Sequence, residues 1–166
     1  MIRTKPLSTF SVVAILAMGL ASFPGSSNAQ QKIVKGQLVG TWTLVSCTGA
    51  NSSPQTFCVD PNGRLVIDAG GRYVQVIAAR GRPKSTPAAN RTAITAEEYK
   101  AAAQGVVANF GTWSFNEADQ TVTAHVEAAL FPNGEGTDAK SSVSLAGDEL
   151  KLVGANGGVN MWRRTR

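Results

Sequence analysis

Few side chains in this sequence are placed to do chemistry, and the most suggestive pair sits on one short segment. His125 is the only histidine among the 166 residues, and Glu127 follows it in Thr121-Val122-Thr123-Ala124-His125-Val126-Glu127-Ala128. Alternate side chains of an extended strand share a face, so imidazole and carboxylate would stand about 7 Å apart, within reach of one bridging water. Such a pair suits proton transfer, as in an isomerase or lyase. No serine, cysteine or lysine is placed beside them as a nucleophile, which argues against triad chemistry. His125 and Glu127 are thus the catalytic candidates, but a simpler reading competes. Antiparallel strands usually hide their apolar side, which would bury Val122, Ala124, Val126 and Ala128 and leave His125 and Glu127 in water. If the polar face turns inward instead, His125 can hydrogen-bond a ligand carboxylate or carbonyl.

A second group suits binding rather than catalysis. Tyr73, Gln75 and Ile77 share one face of a segment, as do Trp113 and Phe115 of another. Aromatic and amide groups that face an interior suit a ligand with an apolar body and a polar handle. The alternative is plain packing, since tryptophan above all supplies buried area. The candidate ligand-binding set is therefore Tyr73, Gln75, Trp113, Phe115 and His125. At the ends of the chain, Gly40-Thr41-Trp42 and Met161-Trp162-Arg163-Arg164 are suited to each other, because a guanidinium is attracted to an indole face. Trp42, Arg163 and Arg164 are the candidates for closing a barrel. Neighbours on a strand point opposite ways, so only one of the two arginines can stack on Trp42.

The elements that must position these groups read mostly as strands. Strand signals cover Val39 to Cys47, Arg64 to Asp68, Arg72 to Ala79, Gly111 to Asn116, Thr121 to Leu130, Lys140 to Leu145, Leu150 to Val153 and Val159 to Arg164. Short turns such as Ala69-Gly70-Gly71 separate most of them. Eight antiparallel strands can close a barrel around one small ligand. The exception is Thr95-Ala96-Glu97-Glu98, a capping box followed by good helix formers. It predicts one helix from Ala96 to about Asn109, stopped by Gly111, in the crossover between the third and fourth strands. Before it, Arg80 to Arg91 reads as a long loop, either a flap over the barrel mouth or a connector. Gly154-Ala155-Asn156-Gly157-Gly158 lacks the Lys-Ser/Thr pair and the helix of a phosphate loop, so it reads as a hairpin loop.

The first residues read as a secretory leader over 1–29. Arg3 and Lys5 precede an apolar run from Phe10 to Leu20, and Ser27-Asn28-Ala29 offers a cleavage site. The apolar run is too short to span a membrane comfortably. A short polar lead-in over 30–36 and one domain over 37–166 are expected to follow. Losing Arg3 and Lys5 lowers the net charge from +5 to +3, a surplus that mainly aids solubility. Outside Arg80 to Arg91 and the tail, basic residues are scattered and do not alternate with aromatics, so no nucleic-acid partner is expected. Export puts Cys47 and Cys58 in an oxidising compartment, where they are expected to form a disulfide. Two cysteines and one histidine make a poor metal set, and neither metal nor cofactor is expected.

The string His125-Val126-Glu127, Leu130-Phe131-Pro132-Asn133, Gly136-Thr137, Leu145, Gly147-Asp148, Leu150 and Trp162 resembles the bacterial and fungal lipocalin-like domain family. Leu38 to Ser46, Asp60-Pro61-Asn62-Gly63 and Gly71-Arg72-Tyr73 match it as well. The resemblance covers Leu38 to Arg164 and implies a calycin-type antiparallel barrel. The family pattern often has Trp where this chain has Gly134, and Arg near the positions of Ser141 and Ser142. A bulky wall and a charged group of the usual cavity are therefore expected to be absent. The combined expectation is an all-β, eight-stranded lipocalin-like barrel in the periplasm or outside the cell. It would bind a small hydrophobic or amphipathic molecule. The alternatives are an isomerase- or lyase-type enzyme using His125 and Glu127, and an envelope protein-interaction module marked by an exposed apolar patch.

Overall fold

The computed structural model describes residues 32–50, 55–85 and 91–166. The leader expected over 1–29, and part of the Arg80 to Arg91 loop, lie outside the described residues. The strands are β1 (Gly40–Thr48), β2 (Pro61–Ile67), β3 (Arg72–Ala79), β4 (Val106–Asn116), β5 (Thr121–Ala129), β6 (Asp138–Ala146), β7 (Glu149–Gly154) and β8 (Val159–Arg164). All eight pair antiparallel with their sequence neighbours, and β8 returns to β1 to close the barrel. Closure leaves no free sheet edge for another chain to extend.

Alternation along the strands sets what lies inside. Leu65 and Ile67 of β2, Tyr73 and Ile77 of β3, Trp113 of β4, Val122 of β5, Val143 of β6, Leu150 of β7 and Trp162 of β8 join one buried cluster. Each such side chain contributes about 1.5–3 kcal/mol when fully buried. In β1, Trp42 and Leu44 are followed by a register shift before Ser46, so Cys47 rather than Ser46 turns inward.

One helix, α1 (Ala96–Gln104), lies between β3 and β4. Its start follows the capping box: Glu98 N donates to Thr95 Oγ1 at 3.2 Å, and Thr95 N donates to Glu98 Oε2 at 2.9 Å. Its end departs from the sequence reading, which carries the helix to Asn109. Val106 to Asn109 instead extend β4, where Val106, Val107, Ala108 and Asn109 pair with Ala78, Ile77, Val76 and Gln75. The ladder offers these residues, two of them β-branched valines, cross-strand partners, and that outweighs the helical spacing of Tyr99, Ala102, Val106 and Phe110. β2 likewise begins earlier than read, at Pro61, a strand-end position where the missing N–H is tolerated.

The two ends of the barrel differ. At the closed end, a 3-10 turn over Lys35–Leu38 precedes β1, with Leu38 buried. The lead-in expected to be polar contributes Ile33 to the core, at 5% exposure. Its backbone is held by one amide: Ile33 N donates to Gln120 Oε1 at 2.9 Å, and Gln120 Nε2 donates to Ile33 O at 3.1 Å. At the other end, Cys47 of β1 is joined to Cys58 by a disulfide with the Cα atoms 5.4 Å apart.

Candidate functional site

The closed end is built around Trp42, which is fully buried. Its indole N–H donates to Leu38 O at 3.0 Å, tying the strand to the turn before it. The guanidinium of Arg164 lies over the Trp42 ring, 4.1 Å from its centroid. Arg164 Nη1 donates to Val39 O at 2.9 Å and Nη2 to Gln37 O at 2.6 Å. One planar group thus caps the indole and holds two carbonyls of the entering chain. Arg163 faces away and pairs with Glu149 at 2.8 Å. Trp113, the second inward tryptophan here, has Lys35 Nζ 5.0 Å from its ring centroid and donates to Asp68 O at 3.0 Å.

Above this floor the barrel is hollow. An inner cavity of about 190 Å³ is walled by apolar residues including Leu65, Ile67, Trp113, Val122 and Leu150. A second space of about 290 Å³ lies nearer the disulfide-bearing end, bordered by Thr48, Phe57, Ile77 and the Gly154–Gly158 turn. Gln75, Ser141 and Asn160 border both spaces, and so form the neck between them. Asn109, opposite Gln75 in the β3–β4 ladder, also lines the inner cavity. Among the described residues, none lining either space is charged.

The structure separates the sequence candidates. Tyr73, Gln75 and Trp113 line the inner cavity. Phe115 packs, partly buried, against the core cluster and does not line the cavity. His125, expected with them, lines neither space. It is on the outer face, with its side chain 49% exposed and Nδ1 2.8 Å from Asp138 Oδ1 on β6. The reason is the simple one: Val122, Ala124 and Val126 take the inward positions and line the cavity.

The inward series of β5 stops after Val126. The β4–β5 register shifts between Phe110 and Gly111, which pair with Ala128 and Val126, leaving Glu127 unpaired in a bulge. Gly111 permits the bulge, because a Cβ there would run into the carbonyl oxygen of His125. Past it, Ala128 joins Phe110 on the outer wall rather than continuing the inward face. His125 and Glu127 are both exposed, on either side of buried Val126, and His125 has Asp138 rather than Glu127 as its hydrogen-bond partner.

Tyr73 has a different environment. It is 6% exposed, and its hydroxyl is buried with no hydrogen-bond partner among the described residues, as is Trp162 Nε1. Burial raises the Tyr73 pKa above 10.0, and the nearby Glu127 carboxylate raises it further, so the phenol is neutral at physiological pH.

Sequence reasoning missed Asn109, Ser141 and Asn160. Two of them were within reach. Asn160 lies two residues before inward Trp162, and Ser141 two before inward Val143, so strand parity alone marks their faces. Asn109 was hidden by the helix expected over its segment.

The outer wall carries its own feature. Val66, Val74, Phe110 and Ala128 are successive ladder partners across four strands, and Val74 and Phe110 are each 49% exposed. Val76 and Leu130 widen this apolar stripe. Among the described residues, no helix is long and apolar enough to cross a membrane.

Comparison with curated proteins finds no match. The family model described as a lipocalin-like domain matches residues 39–163, from the residue before β1 to the penultimate residue of β8. That span takes in β1 to β7 and all of β8 except Arg164, and the chain belongs to the lipocalin-like domain family.

Proposed function

We propose that this protein is an exported carrier that holds a small hydrophobic or amphipathic molecule inside its barrel. The observation that supports this most is the hollow: about 190 Å³ of apolar cavity left unfilled by the barrel's own side chains. Cores normally pack to crystal-like density, and a void of this size in a folded domain calls for an occupant. The disulfide and the family are compatible with a periplasmic or extracellular site of action. Native mass spectrometry of the mature protein, purified gently from its own host, tests the reading. The expected result is a co-purifying mass of small-molecule size, lost on denaturation. A protein that is apo from its host and takes up no apolar probe sinks it.

A second reading has one observation in its favour. The exposed stripe through Val66, Val74, Phe110 and Leu130 is the kind of apolar surface that mates with another protein, here a second copy of this chain. Sedimentation at rising concentration decides it. Association that Phe110→Ser abolishes would support it, and a monomer at every concentration would dismiss it.

A further inference from the structure

The polar groups of the neck point to the kind of molecule the cavity takes. Gln75 and Asn109 stand on β3 and β4; Ser141 and Asn160 stand on β6 and β8, across the barrel. None of these four side chains has a hydrogen-bond partner among the described residues. All four are half-buried, and all four can donate and accept. Having no such partner, they present free donors and acceptors to the space between the walls. Apart from Asn109 and Tyr73, the rest of the inner lining below the neck is apolar. Among the described residues, neither space has a lining lysine, arginine, aspartate or glutamate.

From this we infer that the ligand is a compact, uncharged molecule that enters apolar end first, its donor-and-acceptor head (an amide or a hydroxyl) gripped by Gln75, Asn109, Ser141 and Asn160. This inference rests on the carrier reading and narrows it. A carboxylate or ammonium head would surrender its hydration at the neck and meet no opposite charge there, a severe cost. A purely apolar molecule would leave the neck amides without partners once water is displaced. Size restricts the body as well. An apolar cavity of about 150 Å³ accepts benzene, so one of about 190 Å³ fits a single ring or a short branched chain. That is below the roughly 300 Å³ at which drug-sized sites begin.

Three probes of one shape test it: benzamide with a neutral head, benzoate with a charged one and toluene with none. Each is titrated into the full mature protein and followed by amide chemical shifts. Benzamide is expected to bind about tenfold tighter than toluene, from a few neutral hydrogen bonds. It is expected to bind at least about tenfold tighter than benzoate. In Gln75→Leu and Asn160→Leu, benzamide should lose its advantage while toluene binds as before, with a dispersed spectrum showing that the barrel is intact. Benzoate binding as tightly as benzamide overturns the inference, as does toluene equalling benzamide in the wild-type protein. Those two results leave the carrier reading standing. If toluene and benzamide both fail to bind, the carrier reading falls and takes this inference with it. The wild-type series decides even if neither variant folds.

Discussion

Tyr73 shows how a single atom can work against the fold that holds it. It lines the inner cavity, but its hydroxyl is buried without a partner among the described residues. Tyr73→Phe removes that group and keeps the ring, so it is expected to raise stability by about 1 kcal/mol. The same residue gives the protein an alkaline limit. Its folded pKa is raised above the ordinary 10.0, by burial first and Glu127 second. In the pH range between those two values the unfolded chain has released a proton that the folded chain keeps. The stabilising contribution is therefore complete below about pH 10 and is lost as pH rises through the folded pKa. Denaturant melts of wild type and Tyr73→Phe from pH 8 to 11 should show a steeper decline in the wild type; parallel curves would refute the assignment. The two C-terminal arginines make a second contrast. Arg164→Ala loses the indole stack and two carbonyl contacts, and should cost about 2 kcal/mol. Arg163→Ala breaks only an exposed pair with Glu149 and should fall within about 0.5 kcal/mol of wild type. Equal effects on Tm would show that the stack contributes nothing.

At the scale of elements, the bulge in β5 decides which residues face the cavity. It depends on Gly111, since any Cβ there meets backbone that is fixed by its own ladder. Gly111→Ala should cost about 3 kcal/mol or more, or prevent folding, whereas Gly136→Ala, which meets nothing within 4 Å, should cost less despite its φ of +71°. A tolerated alanine at 111 would mean that the bulge is not required. The disulfide acts at the opposite end. Cys47 and Cys58 are 11 residues apart in sequence, and removing a cross-link over a loop of that order costs roughly 3 kcal/mol. Cys47→Ser with Cys58→Ser should lower the urea midpoint accordingly, and unfolding that ignores reductant would contradict it.

For the whole molecule, closure sets what is possible. A barrel whose strands are all paired has no edge to extend, so its chemistry is confined to the hollow and the outer wall. The proposal of export is tested at this scale too. N-terminal sequencing of the protein recovered outside the cytoplasm should begin at Gln30, and a start at Met1 would end the leader reading.

Much of this architecture is written locally, and the sequence alone was enough for it. Strand alternation, turn residues and the capping box are properties of a few neighbouring positions, so strand number, order and the start of α1 could all be read from them. The Cys47–Cys58 pair was legible because the chain holds no other cysteine. Only the tertiary structure decided the rest, because it depends on residues far apart in sequence. Val106 to Asn109 leave the helical pattern because β3 offers a ladder to pair with. Ala128 loses its expected inward face because Gly111, on another strand, lets the register slip. A polar set drawn from β3, β4, β6 and β8 exists only once the barrel closes and brings Gln75, Asn109, Ser141 and Asn160 around one space. Local preference fixes which way a side chain points along its own strand; what it faces is set by strands that arrive from elsewhere in the chain.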